Sequence, residues 1–120
     1  MDAQQYFGLA VGATFLPGST HTATAQMRNP TSLPLTYHAV LYLGLYVGDQ
    51  AAFSAQNFSL EAGETKAISF PVTVPNVQNI TYHVYIDVYC EDELIAAYQG
   101  IEDVRVYLQP QIELINITWA

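Results

Sequence analysis

The run from Leu35 to Val47 reads Leu-Thr-Tyr-His-Ala-Val-Leu-Tyr-Leu-Gly-Leu-Tyr-Val, and its period limits the fold more than any other stretch does. Odd positions Leu35, Tyr37, Ala39, Leu41, Leu43, Leu45 and Val47 are all apolar or aromatic, while even positions include Thr36, His38, Tyr42, Gly44 and Tyr46. Side chains that alternate with period two line opposite faces of a strand, so the run predicts a long central β-strand with one face in a core. A helix would instead bury Gly44, Thr36 and two β-branched valines in its interior, which helix propensity disfavours.

With 120 residues the chain is one domain, large enough for a two-layer core. Its charged fraction of 12% is about half the usual share, while hydrophobic residues reach 51%. Solubility then rests on hydroxyls, amides and a net charge of -8. Arg28, Lys66 and Arg105 are the only fixed cations, which leaves counterion-release binding to nucleic acid almost nothing to work with. An acidic surface is also repelled by anionic lipid, and no apolar run approaches the roughly 20 residues of a membrane span. The single cysteine, Cys90, excludes an internal disulfide, and its inward strand position predicts an inert core thiol rather than a reactive one. The N-terminus has no basic region followed by an apolar run, so no signal peptide is expected: the protein is not secreted, or the chain is a piece of something longer.

Taken in order, Tyr6 to Leu16 is apolar and interrupted by Gly8 and Gly12, which predicts a first edge strand with a bulge, ended by Pro17-Gly18. From Thr20 the alternation is clean, with His21, Ala23, Ala25 and Met27 on one face and Thr20, Thr22, Thr24, Gln26 and Arg28 on the other. Asn29 to Pro34 is a loop, because its two prolines withdraw amide donors. After a turn at Gly48-Asp49-Gln50, Ala51 to Leu60 predicts one weaker strand or two short ones. Beyond the Glu61-Ala62-Gly63-Glu64 turn, Ile68, Phe70, Val72 and Val74 share an inward face, and Pro71 marks an edge strand or a bulge. Ile80 to Cys90 alternates almost as well as the central strand. Glu91-Asp92-Glu93 is a tight acidic turn, Leu94 to Tyr98 the returning strand, and Gly100 a bulge before Val104 to Leu108. The domain therefore spans 1–109. Residues 110–120 are an extra strand, either a closing strand of this domain or the first of a following repeat.

Seven to eight short strands with turn signals between them, and no helical pattern, predict an all-β fold: an antiparallel immunoglobulin-like β-sandwich. A small barrel is the main competitor. Without a cysteine pair and a mid-strand Trp, a true antibody-type domain is not expected.

Three features occur in order. Asn29-Pro30-Thr31 precedes a long strand ending Leu45-Tyr46-Val47-Gly48, Leu60-Glu61-Ala62-Gly63-Glu64-Thr65 leads into Ile68-Ser69-Phe70, and Tyr82-His83-Val84-Tyr85-Ile86-Asp87-Val88 begins a hairpin. On these stretches, over roughly residues 20–108, the chain resembles the immunoglobulin-like repeats of bacterial and archaeal surface proteins, notably the cell-adhesion-related domain CARDB. The resemblance implies a repeat in a tandem array. Under it, the segment from Pro110 to Trp119 reads like the first strand of a following repeat. The acidic-asparagine ending common in such repeats is missing here.

If the central strand and the 80–90 strand are neighbours, His38, Tyr42 and Tyr46 share a solvent-side face with His83, Tyr85 and Tyr89, with Tyr107 beside them. Such a stripe suits protein or glycan contact, since tyrosine offers large area at low entropic cost. The plainer alternative is tyrosine pairs that stabilise the sheet or lie under a loop. His38 and His83 could approach each other on that face with Asp87 nearby, yet two imidazoles without a clear third ligand make a poor metal site, and no metal is expected. The acidic groups at Glu91 to Glu93 and Glu102-Asp103 lack the spacing of calcium loops and are expected to be solvated. His21 is expected to be a satisfied core residue. Sequons at Asn57, Asn79 and Asn116 hint weakly at an exterior location.

The chain contains no nucleophile elbow and no phosphate-binding glycine loop, so a role without catalysis or cofactor is expected. The leading expectation is an interaction or spacer module of a cell-surface or secreted prokaryotic protein, contacting a protein partner, an adjoining repeat or a sister copy. Alternatives are a virion or phage tail module, or a carbohydrate-binding accessory domain of a hydrolase using the tyrosine face.

Overall fold

A computed structural model describes residues 11–120, so the 6–10 part of the expected first strand lies outside the described residues. The described chain is all-β: β1 (Val11–Phe15), β2 (Thr20–Arg28), β3 (Leu35–Gly44), β4 (Ala52–Leu60), β5 (Thr65–Thr73), β6 (Ile80–Cys90), β7 (Glu93–Gln99) and β8 (Asp103–Val106). The larger sheet runs β1-β8-β6-β3-β4, with β7 also on β6, and the smaller sheet is β2-β5. β3 therefore has a partner on each side. In the 51–60 region there is one continuous strand rather than two, because all nine residues of β4, Ala52–Leu60, are in register with β3.

β7 and β8 share one edge of β6. β8 pairs with Ile80 to Tyr82 and β7 with Tyr85 to Cys90. Between them the Gly100 amide donates to the Val84 carbonyl at 2.7 Å, the interruption that the glycine predicted. Pro71, which has no amide to give, lies in an edge strand whose only ladder partner among the described residues is β2.

The alternation converts directly into packing. Tyr37, Ala39, Leu41 and Leu43 of β3 meet Ile68, Phe70 and Val72 of β5 and Tyr82 and Val88 of β6 in one buried cluster. Each of the Leu, Ile, Val and Phe side chains among them contributes about 1.5–3 kcal/mol by leaving water. Cys90 packs partly buried against this cluster, as expected for a core thiol. His21 is half-buried, stacked on Phe15 at 3.6 Å and bonded to the Ser19 hydroxyl at 2.8 Å.

Two details correct the expected pattern. The sheet is not wholly antiparallel, because β1 lies parallel to β8, from Val11 opposite Asp103 to Phe15 opposite Val106. A parallel pair needs a long crossover, and here the whole sandwich intervenes between the two strands. The central strand also stops at Gly44 instead of reaching Val47. There the chain folds back so tightly that a Cβ on Gly44 would collide with the Asp49 carbonyl oxygen. The Asp49 carboxylate accepts from the Leu45 amide at 2.8 Å, and the Asp49 amide donates to the Tyr46 carbonyl at 3.0 Å.

Asn29 is a fully buried polar residue, and every part of it is used. Its side-chain amide donates to the carbonyls of Leu33 and Leu60, and its side-chain oxygen accepts from the amide and hydroxyl of Thr31. Its backbone exchanges bonds with Glu64 and Gly63 in the β4–β5 turn. Asn29 thus ties the loop after β2 to the turn before β5.

Candidate interaction surface

The outer face of β3 and β6 carries the aromatic residues singled out in the sequence, but it is not an open stripe. The ladder sets Tyr42 opposite Tyr85 and His38 opposite Tyr89. Tyr42 and Tyr85 stack at 5.1 Å, and their residual exposures are 1% and 7%, so neither offers a free ring face. The cause is the folded-back 45–50 loop, whose Gly48 amide donates to the Tyr42 hydroxyl at 3.0 Å. Burial raises both phenol pKa values; the Gly48 bond partly offsets this for Tyr42. The expected solvent-side face is therefore corrected at these two positions: the pair lies under a loop and stabilises the sheet.

The remaining members are dispersed. His38 is exposed and bonded to Asn57 at 2.7 Å. Tyr46 is exposed on the loop rather than on the sheet. Tyr89 is half-buried near His38. Tyr107 lies beyond β8, with the Arg105 guanidinium 4.0 Å above its ring. His38 and His83 do not approach each other, because the register places His38 opposite Tyr89 and His83 opposite Gly44, at the two ends of the ladder. His83 faces the buried Asp103 carboxylate instead, with Nδ1 3.0 Å from Oδ1. Gln99 lies 3.3 Å from the same nitrogen. Asp103 is thus not part of a solvated acidic group. Among the described residues no set of three or more His, Cys, Asp or Glu is placed to hold a metal ion. Nor is any helix there long and apolar enough to cross a membrane.

A second surface was not visible in any local pattern. At one long edge of the sandwich β4 and β5 run side by side, joined by Gln56 Nε2 to the Ser69 carbonyl at 3.0 Å and Lys66 Nζ to the Ser59 carbonyl at 3.2 Å. At the other edge β2 and β7 stand apart across a cleft of about 430 Å³. Met27 and Arg28 lie on one wall, Ile95 and Tyr98 on the other, and Leu35 and Phe58 are among the residues between them. Each wall is an edge strand: among the described residues β2 pairs only with β5, and β7 only with β6.

Beyond β8 the chain leaves both sheets. The Tyr107 amide still donates to the Phe15 carbonyl at 2.9 Å, but residues 109–120 pair with neither sheet. Ile112, Leu114, Ile115, Ile117 and Trp119 are 67–98% exposed, and the molecule measures 81 Å along its longest axis against 25 and 20 Å across. No protein-family profile and no curated protein sequence matches this chain.

Proposed function

We propose that the chain is a non-enzymatic interaction module with immunoglobulin-like connections, of the kind repeated along cell-surface or secreted prokaryotic proteins, and that it joins its neighbour through its C-terminal segment. The observation that carries this reading is the exposed segment Ile112 to Trp119. Burying each of its five large apolar side chains is worth about 1.5–3 kcal/mol, which favours a covering partner over water. The facing of β2 and β5 against β3, β4, β6, β7 and β8 suits an immunoglobulin-like sandwich. The likeness to CARDB-type repeats draws support from Asn29, which bonds Gly63 and Glu64 and so links two of the stretches on which that likeness rests.

A virion or phage structural module is the second reading, favoured by the same segment, since strands shared between subunits build extended assemblies. Carbohydrate docking draws no support from Tyr42 and Tyr85, whose rings are covered. The test is sedimentation of the full chain from micromolar to millimolar concentration, beside the paired variant Ile115→Asp with Ile117→Asp. Association that is lost in the variant supports the reading. A strict monomer in both contradicts it.

A further inference from the structure

We propose that the cleft between β2 and β7 is the seat for the C-terminal strand of a second copy of this chain, so that copies join head to tail. This rests on the interaction-module reading and names its partner and its site.

Four observations point the same way. Among the described residues the cleft is bounded by two strand edges without a ladder partner, one in each sheet, and an added strand gains main-chain bonds from such an edge. Its interior is apolar, and the segment is apolar in two phases: Ile112 and Leu114 alternate, then Ile115, Ile117 and Trp119. A strand lying between two sheets can present apolar groups to both. Ile112 to Trp119 extends to roughly 26 Å at about 3.3 Å per residue, close to the reach of the nine-residue β2. Glu113 is the one charged side chain of the segment, and Arg28 lies on the cleft wall in a chain of net charge -8.

Direction selects a second copy over the same one. The cleft lies at the end of the sandwich where β2 finishes and β7 starts, beside Val88 near the end of β6. The segment leaves from the opposite end, after β8, whose partners are Ile80 to Tyr82 at the start of β6. A strand continuing in the direction of β8 enters the next copy at its cleft end and runs antiparallel to β2. Because donor and acceptor surfaces differ, the contact is heterologous and propagates into a chain of copies.

Trp119 is the only tryptophan, which gives a direct readout. In the 120-residue chain its emission is expected to shift to the blue as concentration rises, together with the growth of higher species in sedimentation. Ile95→Asp, at a wall position that is 51% exposed, is expected to weaken this association by about tenfold or more while leaving the sandwich folded. Tyr98→Asp serves as the second wall variant. Mixing Ile95→Asp, which keeps its segment, with Ile117→Asp, which keeps its cleft, is expected to give a one-to-one dimer and nothing longer. Segment-dependent association that persists unchanged in both wall variants overturns the seat and leaves the interaction-module reading standing. Absence of any segment-dependent association overturns both.

Discussion

Among the described residues the two sheets meet at one long edge of the sandwich and stand apart at the other. β4 and β5 follow each other in the chain through the tight Glu61 to Glu64 turn, with Gly63 at φ 74 where a side chain would be strained. That short connection holds the two strands together, and the Gln56 and Lys66 bonds complete the seam. β2 and β7 are remote in the chain, with no turn to bring them together. The burial of the strands follows. In β5 Ile68, Phe70 and Val72 are buried, while the inward residues of β2, from His21 to Met27, reach only intermediate burial. Among the described residues the β2–β7 side is thus the less buried one, and the apolar segment Ile112 to Trp119 is exposed at the opposite end of the sandwich.

The contrast can be broken most severely from the closed side. Phe70→Ala removes a side chain of 0% exposure and is expected to cost about 3–5 kcal/mol in denaturant unfolding. Met27→Ala, at half-buried β2, is expected to cost well under half of that. Equal costs would mean that the two edges are packed alike. Asn29→Ala comes next, at about 2–3 kcal/mol, because it strands the Leu33 and Leu60 carbonyls and the Thr31 amide at the joint between the sheets. A loss within experimental error would show that water replaces the side chain there.

Charge and turn chemistry give smaller effects. Asp87, on the outer face of β6, has its carboxyl pKa raised by burial, and it joins no ion pair among the described residues. A raised folded-state value means that the native protein holds the proton more tightly than the unfolded chain does. The resulting stability is present at acid pH and lost as pH rises through the shifted value. Asp87→Asn is therefore expected to be more stable than the parent at neutral pH, with the difference vanishing below the ordinary value of 3.8. A difference constant with pH would contradict the assignment. The smallest effect belongs to the turn before β7, where Glu91 and Asp92 have φ of 52° and 65°. Glu91→Asn with Asp92→Gly supplies residues suited to that geometry and is expected to raise stability by about 1 kcal/mol in thermal unfolding.

Most of the strand layout could be read from alternation. β2 keeps its two-residue period over its whole length, β3 and β6 carry the inward residues expected of them, and Gly100 falls at the break between β7 and β8. What escaped were contacts between segments distant in the chain. Tyr42 looked outward because it is on the outer face, and nothing local to it reports that the 45–50 loop folds over that face. The available clue was Gly44, placed where a close approach of backbone requires glycine. Asn29 read as the start of an Asn-Pro step in a loop, and nothing local showed its burial, since its partners at Leu60, Gly63 and Glu64 lie thirty residues or more away. Pairing of His83 with Asp103 depends on the β6–β8 ladder, and the cleft depends on which strands end without neighbours.

Amide hydrogen exchange, followed residue by residue at two protein concentrations, tests the open edge most directly. In dilute solution the β2 amides that face away from β5 and the β7 amides that face away from β6 should exchange far faster than those of β3. At high concentration both sets should slow together with the amides of Ile112 to Trp119. If the outward amides of β2 and β7 are already as protected as β3 in dilute solution, that edge is closed within a single molecule and has no place for a second copy.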